Sequence, residues 1–300
     1  KGRRRGTKKR SILGFFVKFF LSVTALLTIL SILGFVFFIQ PELSRLRGIA
    51  YDKLAGSNLR DLTKRSDTVV LDYEGKTLGT INAGPFVYVT IDQISPNLQR
   101  AYIAQEDRKF LSHNGVDYKA TLRAFLQLVK NKGKITQGGS TITQQVVKNT
   151  YLNAERTYTR KIVEIILAQE LEKRYSKADI MEIYCNTNFY GNNCYGVEAA
   201  SQFYFDKAAK DLSIEEAATL AGISNAPTRY DPLRHPDRAL KKRNQVLKSM
   251  ETVGYLTEEE YGQLVNTELI ISKNTQKSTD EDYLSAYALY SATIRMMEVN

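Results

Sequence analysis

Apolar positions follow three different rhythms along this chain. From Phe19 to Ile39 there are 21 residues without a charge, dense in Phe, Leu, Ile and Val. At about 1.5 Å per residue, a helix of that length spans roughly 30 Å, the thickness of a bilayer core. From Thr68 to Ile81 apolar and polar residues alternate around Glu74-Gly75, which predicts a β-hairpin, and Phe86-Val-Tyr-Val-Thr90 predicts a further strand. After Pro96 the spacing becomes three and four residues, predicting helices over 155–174, 178–185, 214–223 and 239–250. Ser176 with Asp179, Ser213 with Glu216 and Thr257 with Glu260 each fit a capping box at a helix start. The body is therefore a mainly α domain of about residues 66–270.

Charge changes the picture at one end only. The formal net charge is +10, but residues 1–10 hold seven Lys or Arg and no acid, leaving +3 for the rest. The basicity belongs to a tail, and no nucleic-acid surface follows from it. Beside an uncharged 21-residue span, that tail marks a membrane anchor with a cytoplasmic N-terminus. A cleaved signal peptide fits less well, because its apolar region is usually about 7–15 residues and ends in small residues. Here Gln40-Pro-Glu-Leu-Ser44 follows, and Lys18 sits where a long side chain snorkels to the interface. Everything after about residue 40 is then outside the cell.

Cys185 and Cys194 lie in that outer part, nine residues apart, and their spacing leaves a disulfide and two free thiols both open. The only histidines are His113 and His235, neither near a cysteine in sequence, so a zinc-type site is not indicated.

Three segments carry candidate chemistry. Glu106 ends an apolar-rich helical run from Leu98, where the negative end of the helix disfavours an ionised carboxylate and suits an acid/base residue. The plainer alternative is a surface Glu paired with Arg108 or Lys109. Gln137-Gly-Gly-Ser140-Thr141 opens a second segment, in which Ser140 is expected to cap a helix carrying Gln144, Gln145 and Lys148 on one face. Such a helix start also offers free N–H groups to an anion. In the third, Arg160 and Lys161 stand four and three residues before Glu164, with Arg156 one turn earlier. A cationic stripe around one carboxylate suits a phosphate diester or pyrophosphate that must be neutralised as it leaves. A salt-bridged solvated face is the alternative, with Ile162, Ile165, Ile166 and Leu171 as core. His113 reads first as a structural hydrogen-bonding group. Thr121–Ile135 fits equally a core helix with a basic end and an interfacial segment on anionic lipid.

Taken in order, these motifs resemble the peptidoglycan glycosyltransferase domain of class A penicillin-binding proteins and monofunctional transglycosylases. The shared pieces are Glu-Asp-x-x-Phe-x-x-His-x-Gly at 106–115, Gly-Gly-Ser-Thr-Ile-Thr-Gln-Gln at 138–145 and Arg-Lys-x-x-Glu at 160–164. Asn186 with Tyr190-Gly191 and Tyr195-Gly196-Val197, then Glu216-Ala-Ala-Thr-Leu-Ala-Gly222 with Pro227, complete the series. The resemblance covers Val87 to about Asp237. It implies a lysozyme-like α fold with a large head lobe and a small membrane-associated jaw lobe over 116–137, and a reaction that joins lipid II by β-1,4 transfer.

On this resemblance Glu106 is the carboxylate that deprotonates the acceptor sugar. Glu164 assists at the donor phosphates, with room for a divalent cation (Mg or Mn). Lys148, Arg156 and Lys161 hold the departing pyrophosphate. Ser140, Thr141 and Gln145 contact ligand, while Asp107, His113 and Arg160 are counted with the cleft. Partners implied are lipid II, the growing glycan strand and the bilayer, with cell-division or elongation machinery also open and no nucleic acid. Two departures stand out: Cys185 and Cys194 flank the fourth motif, and Leu111 replaces an aromatic often found after Phe110.

The expected organisation is a basic tail at 1–18, a transmembrane helix at 19–39, a stalk at 40–65, the glycosyltransferase domain at 66–270 and a C-terminal segment at 271–300. Neither Ser-x-x-Lys nor Lys-Thr-Gly occurs, so no transpeptidase signature is present. The first residue is Lys, and Tyr283–Asn300 reads as a helix cut short, so a bifunctional parent with a second domain is favoured over a monofunctional enzyme. The rival readings are a lysozyme-like muramidase, which has no use for the pyrophosphate cations, and a non-catalytic cell-wall scaffold, which has no use for both glutamates.

Overall fold

The computed structural model describes residues 12–55, 58, 60, 68–81, 86–131, 139–152 and 157–272. The chain divides into two units, residues up to Asp52 and residues from Lys53 onward.

The first unit is helical throughout its described part: α1 (Ile12–Gly34), a π-helical segment (Phe35–Ile39) and α2 (Gln40–Leu54). Three of its hydroxyl side chains bond back to the helix. Ser22, Thr24 and Thr28 donate their hydroxyls to the carbonyls of Lys18, Phe20 and Thr24 at 2.9, 3.0 and 2.8 Å. Large apolar side chains such as Phe20, Leu30 and Phe37 point outward. This helix is long and apolar enough to cross a membrane. The stalk expected from residue 40 is helical as far as Leu54.

In the second unit β1 (Thr68–Leu71) and β2 (Thr77–Ile81) form the expected antiparallel hairpin. Asp72 Oδ1 accepts the Glu74 and Lys76 N–H groups, and Gly75 takes a φ of 82° in the turn. The further strand expected at 86–90 does not form. Val89 instead exchanges both backbone bonds with one side chain: its N–H donates to Asn186 Oδ1 at 3.1 Å, and its carbonyl accepts from Asn186 Nδ2 at 2.8 Å. An asparagine amide carries a donor and an acceptor in the same spacing as a peptide and can stand in for a neighbouring strand.

The rest is helical: α3 (Pro96–Glu106), α4 (Tyr118–Lys130), α5 (Ile142–Tyr151), α6 (Tyr158–Arg174), α7 (Lys177–Thr187), α8 (Val197–Phe205), α9 (Ile214–Asn225), α10 (Pro236–Thr252) and α11 (Glu258–Leu264). All three expected capping boxes are present, at the starts of α7, α9 and α11. Helix α3 packs against α9 and α10, and α5 lies against α6 and α7. Leu98 and Tyr102 of α3, Ile142 and Val146 of α5, and Leu167 and Leu171 of α6 are buried in this core. Each such aliphatic side chain stabilises by about 1.5–3 kcal/mol. Small residues on α9 (Ala217, Ala218, Ala221 and Gly222) let α10 approach closely; a Cβ on Gly222 would sit 2.9 Å from Lys242 Cγ.

Some expectations need correction. Cys185 and Cys194 are free and buried, so the 185–194 disulfide left open by their spacing does not form. Cys185 lies in the packed face of α7, and the Cys194 thiol donates within its own turn to the Asn192 carbonyl at 3.4 Å. Ile162 is exposed and not core, because it follows the exposed Tyr158 by one helical turn on the outer face of α6. The segment 272–280 and the helix expected at 283–300 lie outside the described residues, apart from Ser272.

Candidate active site

The site is organised from the start of α5. Thr141 is the N-cap, not Ser140 as the sequence suggested: its hydroxyl accepts the Gln144 N–H at 3.1 Å, while Gln144 Oε1 accepts the Thr141 N–H at 3.0 Å. The Thr141 hydroxyl also donates to the Gly115 carbonyl at 2.6 Å. Gly115 can occupy this place only as glycine. Its φ is 87°, and a Cβ would lie 2.5 Å from the Ala168 carbonyl oxygen of α6. Asp107, buried just after α3, accepts the Ile142 N–H at 3.0 Å and bonds His113 Nε2 at 2.7 Å. A carboxylate on the first N–H of α5 is the favoured arrangement at a helix N-terminus. Lys177 completes the support, reaching the His113 carbonyl at 2.7 Å and Glu172 at 2.6 Å while lying 4.6 Å from the Phe110 ring centre. Asp107, His113 and Thr141 are thus positioning groups beneath the site.

Two consecutive side chains of α5 reach the two glutamates. Gln145 Nε2 donates to Glu106 Oε2 at 3.0 Å, and Gln144 Nε2 donates to Glu164 Oε1 at 3.2 Å. Successive helical residues diverge by about 100°, so the carboxylates meet neighbouring flanks of one turn. Their surroundings differ. Glu106, the last residue of α3, is half-buried and also accepts from Asn225 Nδ2 at 3.2 Å. It makes no ion pair with Arg108 or Lys109; Arg108 Nε turns back to the Ala104 carbonyl and Lys109 faces Asp117 at 3.9 Å. Glu164 is buried in α6 and pairs with both Lys161 and, at 3.5 Å, Arg160. Lys161 Nζ in turn donates to Ser140 Oγ at 3.0 Å. Arg160 Nε is buried with no hydrogen-bond partner.

Of the expected cations, Lys161 and Arg160 are gathered at Glu164. Lys148 is exposed in the last turn of α5 and makes no ion pair among the described residues, and Arg156 lies outside them. A divalent cation does not fit Glu164 as it stands. Two cations and an amide already occupy its oxygens, and among the described residues no group of three or more His, Cys, Asp or Glu could hold a metal.

Gln144 was expected on one helix face with Gln145 and Lys148, yet it is buried against Glu164. Several other residues were not singled out by sequence. Asn225, at the end of α9, holds the free oxygen of Glu106; no motif spacing marks it. Lys242 of α10 is buried over Gly222, with Nζ 5.6 Å from the Tyr230 ring centre. Burial pulls its ammonium below the usual lysine range, and the charge of Glu106 opposes that. Lys242 was hidden within the basic run Lys241-Lys242-Arg243. Behind Gln145 lies a set of buried tyrosines: the Tyr184 hydroxyl donates to Gln145 Oε1 at 3.3 Å, and the Tyr102 and Tyr190 hydroxyls meet at 2.6 Å.

Residues 74–251 match the transglycosylase family profile. Penicillin-binding protein 1A of Aquifex aeolicus is 43% identical over 232 residues, covering 77% of this chain and 32% of that protein. Penicillin-binding protein 1A of Escherichia coli is 36% identical over 251 residues, covering 83% of this chain and 28% of that protein. A crystal structure of penicillin-binding protein 1A from Haemophilus influenzae aligns over 70% of this chain and 21% of its own at 22% identity, with a TM-score of 0.40, and adds nothing to the fold described above. The chain spans about a third of the length of the curated relatives it matches. The family match falls on the unit that carries both glutamates, and on that ground the chain belongs to the transglycosylase family, as a peptidoglycan glycosyltransferase domain of the class A penicillin-binding protein type.

Proposed function

We propose that this chain lengthens glycan strands from lipid II while tethered to the membrane by α1, with its basic tail on the cytoplasmic side. The observation that carries the reading is the unlike setting of the two glutamates, Glu106 of α3 and Glu164 of α6, that one turn of α5 reaches. Glu106 is half-buried and held only by amide N–H groups, which leaves it free to take a proton. Glu164 is buried among cations, which suits the side where negative charge develops.

In the transfer, Glu106 removes the proton of the acceptor sugar's 4-hydroxyl as that oxygen bonds to the donor anomeric carbon. The bond to the polyprenyl pyrophosphate breaks on the opposite face, inverting the centre. Lys161, Arg160 and the exposed Lys148 meet the charge of the leaving group, with Glu164 holding the first two in place. No step requires a metal at Glu164. The outward stripe Tyr118, Leu122 and Leu126 on α4, flanked by exposed Lys119, Arg123 and Lys130, suits contact with the headgroup layer where the lipid substrate resides.

The test is incubation of the full chain with labelled lipid II. Lengthening strands support the reading, and Glu106→Gln should slow them about 100- to 10,000-fold. Cleavage of preformed glycan without lengthening would indicate a muramidase instead. Neither activity, or full polymerisation by Glu106→Gln, would refute the assignment.

A further inference from the structure

We propose that Tyr184 is a positioning residue for the catalytic base: its buried hydroxyl fixes the side-chain amide of Gln145 so that the N–H, and not the carbonyl, faces Glu106. The inference rests on the reading of Glu106 as proton acceptor.

The chain of contacts runs from the core outward. Tyr184 lies on the packed face of α7, 2% exposed, with its ring edge-on to Tyr102 at 4.8 Å between centres. Its hydroxyl has one direction in which to donate to α5, the Gln145 Oε1 at 3.3 Å. With that oxygen engaged, the other end of the amide must present Nε2 to Glu106 Oε2, where it stands at 3.0 Å. A flipped amide would place two acceptors, Oε1 and a carboxylate oxygen, against each other, and would take from the buried Tyr184 O–H the acceptor it now has on α5. Asn225 supplies a second N–H to Glu106 Oε1. Two amide donors, one on each oxygen, are both satisfied by the proton-accepting carboxylate.

The phenol stays a donor across the working range. Burial, reinforced by the charge of Glu106 and the neighbouring Tyr102, pushes Tyr184 well above the usual phenol range. The hydroxyl therefore reaches the reaction only through Gln145, and nothing places it on substrate. Tyr102 and Tyr190, whose hydroxyls bond each other at 2.6 Å, hold the ring stack from behind but make no such contact with α5.

Tyr184→Phe in the full chain tests this, because the ring and its packing remain while one hydroxyl is lost. With lipid II, kcat should fall roughly three- to tenfold with KM nearly unchanged, the loss of one net hydrogen bond felt in the transition state. The acid limb of the pH–rate profile should move to higher pH, which a purely structural role would not produce. In a Gln145→Ala background the same substitution should change kcat less than about twofold, since its only route is gone.

A readout independent of turnover is the 15N side-chain amide signal of Gln145, assigned by its loss in Gln145→Ala. Its pH titration, which follows Glu106, should be strong in the native chain and weak in Tyr184→Phe. A superimposable pH profile, equal losses in both backgrounds, or an unchanged amide titration would overturn the inference. If the native chain fails to polymerise lipid II, the functional reading falls, and the amide signal still decides the role of Tyr184.

Discussion

Replacing Gly115 with alanine isolates the contact on which the site's framework depends. Two costs add. A side chain at a φ of 87° is strained by about 1–2 kcal/mol. The new Cβ would also lie 2.5 Å from the Ala168 carbonyl oxygen and 3.0 Å from the Gln169 nitrogen, both backbone atoms of α6 that cannot rotate away. Forcing one methyl into such a space costs about 1–3 kcal/mol after local shifts. The sum, about 2–5 kcal/mol, is a large share of the 5–15 kcal/mol typical of a domain. It corresponds to a fall in Tm of about 4–20 °C for a domain of this size.

The shift should also reach the chemistry. The Gly115 carbonyl accepts the hydroxyl of Thr141, the cap of α5, and moving it tilts the turn that carries Gln144 and Gln145. Thermal unfolding, followed by a lipid II assay at least 10 °C below the variant's own Tm, separates the two effects by roughly the margin over which unfolding becomes negligible. A Tm within about 2 °C of the parent, or full activity per folded molecule, would show that the loop yields freely and that this argument is wrong.

Other consequences are open to direct measurement. Lys161→Ala should lower both stability, by about 1–3 kcal/mol, and polymerisation, because it strips a partner from the buried Glu164 and a donor from Ser140; unchanged use of the pyrophosphate donor would contradict the leaving-group role. Burial pushes the Cys194 thiol from 9.0 up to about 12, so its contribution is present in full below pH about 9 and is lost as pH rises from there towards 12. Alkaline unfolding curves should therefore be shallower for Cys194→Ala, and Ellman's reagent should label neither thiol at pH about 8 until denaturant is added; prompt labelling of the native chain would refute the burial.

Much of the fold was legible because it depends on local signals. Each of the Ser176, Ser213 and Thr257 caps is a contact between residues three apart, and the spacing that reveals it is also the spacing that makes it. The hairpin at 68–81 was legible in the same way. The strand expected at 86–90 failed because alternation indicates an extended backbone, not its partner. Here the partner is one side chain 97 residues away.

The cap of α5 was misplaced by one residue because the glycine pair drew the cap to Ser140. Gln144 instead stands three residues after Thr141 and closes a capping box with it, and Gly115, across the chain, accepts the Thr141 hydroxyl. Glu106 and Glu164 were visible as carboxylates in unlike sequence, but what reaches them was partly hidden. Gln144 shares a helical face with Lys148 on paper, yet the burial of Glu164 draws it inward. Asn225, Tyr184 and Lys242 come from helices far along the chain, with no spacing to announce them. Ile162 was assigned to the core because isoleucine is usually buried, whereas the outer face of α6 leaves it exposed.

Adjacent glutamines on α5 give the two acids a common ruler. Because Gln144 grips Glu164 and Gln145 grips Glu106, the two grips start a single peptide step apart, about 3.8 Å between α-carbons. Lengthening or deleting one residue there would not retune one half of the reaction; it would turn both grips away at once. Improvements in turnover should therefore come from the helices that deliver the acids, leaving this short span untouched.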